Sequence, residues 1–131
     1  MAVELPQRPT LYIDGSWTRS SDDKTRPTVN PFDAKTLVEV DEATPADAER
    51  AVAVAKKYFT ESDWSTKPYA ERCALLDRYA DLLQEHKPKL AEIETLDTGK
   101  TLGESEIDID DVTNVFRFYA KEALKPVSYT H

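Results

Sequence analysis

Glycine is scarce in this chain: 131 residues hold three, Gly15, Gly99 and Gly103. None is spaced for a phosphate-cradling loop, so the chain carries no glycine-rich nucleotide signature of its own. Cys73 is the single cysteine, which excludes an intrachain disulfide and fits a reducing compartment, so a cytoplasmic protein is expected. One cysteine and two histidines, His86 and His131, cannot form a Cys-His zinc cluster, and neither histidine lies in a Ser-His-acid motif. Positive charge is in the minority, with 17 Lys and Arg against 25 Asp and Glu and a formal net charge of −8. That balance argues against a nucleic-acid surface and gives no attraction to an anionic membrane. No apolar run approaches the roughly 18 residues of a membrane span. The start, Met-Ala-Val-Glu-Leu-Pro, lacks the basic opening and apolar core of a secretory signal.

What is present describes one folding domain: 40% apolar and 32% charged residues, without repeats or low-complexity segments. Residues 1–10, with Pro6 and Pro9, read as a flexible arm. Residues 11–43 read as short strands. Leu11-Tyr12-Ile13 and Ser16-Trp17-Thr18 flank Asp14-Gly15, a type I′ hairpin signal. Pro27 to Pro31 can pair with that hairpin, its two prolines confining it to an edge or to a strand end, and Thr36 to Val40 reads as a further strand.

Residues 44–125 read as helical. Thr44, Pro45 and Asp47 form an N-cap, a first-turn proline and a short capping-box acid. Ala48, Val52, Ala55 and Phe59 then recur on one face, and Trp64 is expected to plug that helix's end. A second helix is expected from Pro68 to about His86, with Leu75, Leu76, Tyr79, Leu82 and Leu83 inward, Cys73 as a small core residue and His86 as a C-terminal cap. A short helix runs from Pro88 to Gly99. The last, from about Leu102 to Leu124, buries Val112, Val115, Phe116, Tyr119 and Ala123. The expectation is mainly α: four helices after a small β-hairpin and strand region.

The stretch Leu90 to Lys100 holds the one feature that invites a functional reading. Asp97 follows Ile93 by four residues and Leu90 by seven, the spacing of a shared face, yet it lies at the negative end of a helix dipole. Two dispositions are open. It turns to solvent as a C-terminal residue, or it turns inward and needs a cation, for which Lys100 and a bound metal ion are the candidates. Asp108, Asp110 and Asp111 are spread by helical spacing over different faces and read as a solvated acidic surface. Residue by residue the chain shows no catalytic site.

Taken together and in order, several landmarks resemble the N-terminal quarter of the NAD(P)-dependent aldehyde dehydrogenase superfamily. They are Leu11-Tyr12-Ile13-Asp14-Gly15-Ser16-Trp17, Val29-Asn30-Pro31, Arg72 with Leu75-Leu76, and Leu96-Asp97-Thr98-Gly99-Lys100. Glu94 to Lys100 and Phe116-Arg117-Phe118-Tyr119-Ala120 point to the betaine-aldehyde branch. The resemblance implies an α/β fold for the whole enzyme and a homo-oligomeric parent. It implies oxidation of an aldehyde, betaine aldehyde being one candidate, to an acid with NAD or NADP. In that chemistry a cysteine attacks the carbonyl and a glutamate activates water. Those residues and the dinucleotide site belong further along the family's chain, and Cys73 does not match the nucleophile's motif. A fragment inactive by itself is therefore expected; a small helical interaction module without catalysis is the alternative. One family site does fall here: a monovalent cation, usually potassium, held by backbone oxygens at Thr28 and Val29 and by the carboxylate of Asp97. Residues 126–131, Pro-Val-Ser-Tyr-Thr-His, depart from the family pattern and are expected to be a non-native tail.

Overall fold

Local chemistry sets the order of elements, and a computed structural model describes them over residues 4, 5 and 8–125. The tail expected at 126–131 lies outside the described residues, as do 1–3, 6 and 7. Strands β1 (Leu11–Ile13), β2 (Ser16–Thr18), β3 (Thr25–Val29) and β4 (Thr36–Asp41) precede helices α1 (Pro45–Glu61), α2 (Tyr69–Thr98) and α3 (Leu102–Glu122). The contacts divide the chain into two units: residues up to Ser65 together with Leu96–Gly99, and Thr66–Thr95 together with the chain from Lys100.

In the first unit, β1 and β2 pair antiparallel with Ile13 opposite Ser16. Asp14 and Gly15 both take positive φ, 55° and 74°, as a type I′ turn requires. Tyr12 and Trp17 face each other across the ladder with ring centroids 5.0 Å apart. β3 pairs with β4 and not with the first hairpin, so each sheet has two strands. A two-stranded ribbon has an open edge on both strands, which is how Pro27 is accommodated inside β3.

The arm expected at 1–10 is anchored from Arg8 onward. The Asp41 side chain is fully buried, and a buried carboxylate needs donors. The Arg8 guanidinium bonds Asp41 and reaches Asp23 Oδ1 at 3.0 Å. The Ser20 N–H donates to Asp41 Oδ2 at 3.2 Å, and the Asp41 N–H donates to the Pro9 carbonyl at 3.0 Å.

Helix α1 starts where its caps place it. Thr44 accepts from the Asp47 N–H, and Asp47 accepts from the Thr44 N–H at 3.0 Å. Asp47 also takes the N–H and hydroxyl of Ser21, each at 3.1 Å, so one carboxylate ties a loop to a helix start. Those backbone donors, Thr44 first and Ser21 next, hold its pKa down at about 2 against an ordinary 3.8. The face expected to be buried on α1 is not: Ala48, Val52, Ala55 and Phe59 are exposed, and Trp64 is exposed as well. Periodicity marks an apolar stripe, but only a covering partner buries it.

In the second unit the expected pair of helices around Pro88 is one helix. α2 runs 30 residues with Pro88 inside it, giving three helices among the described residues in place of the expected four. A proline removes one donor and crowds the preceding turn, which favours a break. Here α3 binds α2 on both sides of that point. Gln84 Nε2 donates to Asp110 and Thr113 at 3.0 Å, the Lys87 ammonium meets Asp110 at 2.7 Å, and Thr95 bonds Ser105 at 3.0 Å. Contacts with one partner helix on both sides of Pro88 keep the two halves in one continuous helix.

The seam between α2 and α3 is built from small side chains. Cys73, Ala80 and Ala91 are buried on α2, and Ser105, Thr113 and Ala120 on α3. Cys73 is thus a packing residue, as its small size suggested. The Leu75 and Tyr79 of the expected α2 core face are exposed, and so are Val112, Val115, Tyr119 and Ala123 of the expected α3 core face. Small residues let backbones approach closely, and the large apolar side chains are displaced to the flank of the contact. His86 lies mid-helix and exposed, not at a C-terminal cap.

Candidate functional site

The turn between β3 and β4 is the local scaffold of the candidate cation site. Asn30 starts it: its N–H donates to the Lys35 carbonyl at 2.9 Å, and its side-chain oxygen accepts from the Phe32 N–H at 2.9 Å. The Ala34 N–H returns to the Asn30 carbonyl at 2.8 Å, with Ala34 in the left-handed region at φ 58°. Asp33 accepts from Lys35 at the turn's far side, and that side-chain bond lowers the Asp33 pKa. Just before the turn the ladder register slips: Thr28 lies opposite Val38, but Val29 lies opposite Thr36. A slip of this kind interrupts the regular exchange of N–H and carbonyl groups along a ribbon. It falls on Thr28 and Val29, the two residues whose backbone oxygens the family resemblance implies as cation ligands.

The last turn of α2 belongs to the same unit. Gly99 closes that helix with φ 77°, the left-handed stop that glycine adopts without penalty. A Cβ at Gly99 would stand 2.9 Å from Cγ of Pro31, so the helix end is seated directly on the turn that follows β3. Thr28, Val29 and Asp97 are therefore attached to two segments that touch through Pro31 and Gly99.

Asp97 is exposed, which decides between the two dispositions open from its sequence position: it turns to solvent. Its spacing from Leu90 and Ile93 is unchanged within the longer α2; the side of the last turn that carries Asp97 is simply left uncovered. Lys100, the other candidate counter-charge, has its ammonium 3.0 Å from Glu94 Oε1 and paired with Asp108, first Asp108 and then Glu94 raising its pKa. Asp108 belongs to that ion-pair group and Asp110 to the one around Lys87, so the acidic residues of α3 serve in part as helix-to-helix ties.

The donor set on offer is two backbone carbonyls and one carboxylate. These are hard oxygen donors, suited to a hard cation and unsuited to a transition metal. Among the described residues no group of three or more His, Cys, Asp or Glu side chains gathers to hold a metal ion. Asp97, being exposed, keeps its carboxylate in water. One local feature that sequence reasoning passed over is the second capping box. Thr101 accepts from the Glu104 N–H at 3.3 Å and Glu104 returns to the Thr101 N–H at 3.1 Å. The Thr-x-x-Glu spelling at 101–104 signals it.

Comparison with known proteins adds the wider context. The sequence profile described as "Aldehyde dehydrogenase family" matches residues 17–130. The betaine aldehyde dehydrogenase of Bacillus subtilis is 40% identical over 111 residues, which are 85% of this chain and 23% of the relative. The peroxisomal aminoaldehyde dehydrogenase 1 of Malus domestica is 36% identical over 126 residues, 94% of this chain and 25% of the relative. The 1.85 Å crystal structure of a Staphylococcus aureus betaine aldehyde dehydrogenase with NAD+ superposes with a TM-score of 0.86 at 42% identity, over 90% of this chain and 24% of that one. The chain spans about a quarter of the length of the relatives it matches.

Proposed function

The chain belongs to the aldehyde dehydrogenase family, and from that premise we propose that it is the N-terminal part of an NAD(P)-dependent enzyme that oxidises an aldehyde to a carboxylic acid. Betaine aldehyde is the substrate we favour, because the B. subtilis and S. aureus relatives that carry that name are 40% and 42% identical to it. The observation that carries the reading is the match of residues 17–130 to the family together with a superposition over 90% of the chain. The chemistry of carbonyl attack and hydride transfer belongs to parts of the family's sequence that this chain does not span. The parent is read as homo-oligomeric and cytoplasmic; among the described residues no helix is long and apolar enough to cross a membrane.

The role of this chain's own residues is a supporting one. The Thr28 and Val29 carbonyls and the Asp97 carboxylate hold a monovalent cation, potassium in the first instance. The bound ion would counter the negative end of α2 and link it to the end of β3. The slipped register at Thr28 and Val29 and the contact of Gly99 with Pro31 support that assignment.

Two measurements test the reading. The 131-residue chain, mixed with betaine aldehyde and NAD+ or NADP+, is expected to give no aldehyde-dependent reduced nicotinamide. A chimera in which residues 11–125 replace the matching stretch of the B. subtilis enzyme is expected to be active; a folded, soluble but inactive chimera refutes the proposal. For the ion, potassium chloride is expected to raise the melting temperature of the chain above that in an equal concentration of tetramethylammonium chloride. Asp97→Ala is expected to abolish that difference, and an equal response in both proteins rejects the site.

A further inference from the structure

We propose that Asp14 is a self-modifying site: the Gly15 amide nitrogen closes onto the Asp14 side chain, and the ring reopens to an isoaspartyl link that breaks the β1–β2 turn. The attacking and attacked atoms belong to adjacent residues of one turn. The inference therefore depends neither on the enzymatic reading above nor on any segment that would cover this chain.

Ring closure needs an unbonded carboxyl, a reachable amide nitrogen and a backbone able to turn. The chain has one aspartate followed by glycine, Asp14-Gly15, and both residues are exposed. The β1–β2 ladder ends at the Ile13–Ser16 pair, which leaves the Gly15 N–H beyond it. Among the described residues neither that N–H nor the Asp14 carboxyl has a hydrogen-bond or ion-pair partner. A Cβ built on Gly15 would meet nothing within 4 Å, so the space around the turn is open. Other candidates lack one condition or another. Asp33 accepts the Lys35 N–H at 3.1 Å, and the residue after it, Ala34, carries a Cβ that crowds the amide. Asp47 is held by Thr44 and Ser21. Asn30 precedes Pro31, which has no amide hydrogen, and Asn114 lies inside α3, where helical bonding holds the backbone.

The backbone supplies the motion. Asp14 has φ 55°, in the left-handed region that costs an L-residue about 1–2 kcal/mol. Two strands of three residues each hold it there. A two-stranded hairpin so short is marginal in water, so local opening costs little.

In the first step the Gly15 nitrogen bonds to Asp14 Cγ, and the carboxyl OH leaves as water with the amide hydrogen. Water then adds to the five-membered ring. Attack at Cγ restores aspartate. Attack at the main-chain carbonyl breaks its bond to the Gly15 nitrogen and routes the chain through Cβ and Cγ. One water is released and one consumed, and nothing is oxidised or reduced. The new link adds a carbon to a turn whose two-residue length sets the register. Tyr12 and Trp17, with ring centroids 5.0 Å apart, then lose their pairing.

The test holds the full chain at neutral pH for several weeks, folded and in urea. Electron-transfer fragmentation of its peptides then separates α-linked from β-linked aspartate. In the folded chain isoaspartate is expected at position 14 about tenfold faster than at any other aspartate, a barrier lower by about 1.4 kcal/mol. Asp14→Asn suits the same turn and is expected to give the same product faster, with release of ammonia. Asp14→Glu would need a six-membered ring and is expected to stay unmodified, with circular dichroism showing that its helices are kept. The isolated isoaspartyl form is expected to lose near-ultraviolet dichroism from the Tyr12–Trp17 pair. The proposal is overturned by isoaspartate at position 14 only in urea, by equal modification at other aspartates of the folded chain, or by a folded Asp14→Asn variant that does not react. An isoaspartyl form with the parent's near-ultraviolet signal overturns the claim that the turn breaks.

Discussion

Replacing Gly99 by alanine tests the join between the end of α2 and the turn after β3. Two costs add. An L-residue in the left-handed region that Gly99 occupies, φ 77°, is disfavoured by about 1–2 kcal/mol. The new Cβ would also stand 2.9 Å from Cγ of Pro31, a ring carbon that cannot rotate aside, so either the turn or the last helical turn must shift. Together these give about 2–3 kcal/mol, the second part being of the size of a modest overpacking penalty. For a chain of this length that lowers the melting temperature by roughly 6–12 °C. The assay is thermal and urea unfolding followed by circular dichroism at fixed pH and salt, with an unchanged urea slope showing that the native and unfolded ensembles are comparable. Two companions separate the costs. Gly99→Asn tolerates the backbone conformation but still meets Pro31. Gly103→Ala, in the first turn of α3 with nothing within 4 Å of the added carbon, is expected to stabilise by about 0.5 kcal/mol. If Gly99→Ala proves as stable as the parent, the helix end is not seated on Pro31 and the basis for placing Asp97 near Thr28 and Val29 fails with it.

Other outcomes follow from the same structure. Asp47 has its folded pKa lowered to about 2, so the unfolded chain takes up the proton first. Its contribution is therefore intact above pH 4 and is lost as the pH falls towards 2; Asp47→Asn is expected to flatten that part of an acid titration of stability. Thr44→Ala removes the cap that shares this carboxylate and should cost about 1 kcal/mol in urea unfolding. Arg8→Ala leaves the buried Asp41 carboxylate short of a cation and is expected to cost about 2–4 kcal/mol, seen as a fall in the urea midpoint. Pro88→Ala restores a backbone donor inside α2 and should raise stability by about 1 kcal/mol or more, with slower hydrogen exchange between residues 84 and 92.

The sequence by itself determined the features whose causes lie within a few residues. Asp14-Gly15 specified its hairpin, Thr44-Pro45-x-Asp47 its helix start, and Gly99 its helix stop, because each depends on φ preferences and donors three or four positions apart. The order of its landmarks also carried the family. The tertiary structure decided whatever depends on a distant partner. Pro88 alone favours a break, but α3 bonds to α2 on either side of it and keeps one helix. Periodicity found the apolar residues of α1, α2 and α3, yet it could not say which of two adjacent faces is covered. Small residues such as Ala80, Ala120 and Ser105 won the contact by allowing closer approach, and the large ones were left outside. Asp97 turned to solvent for the same reason: a side chain's phase on a helix is local, whereas its burial belongs to whatever packs against it.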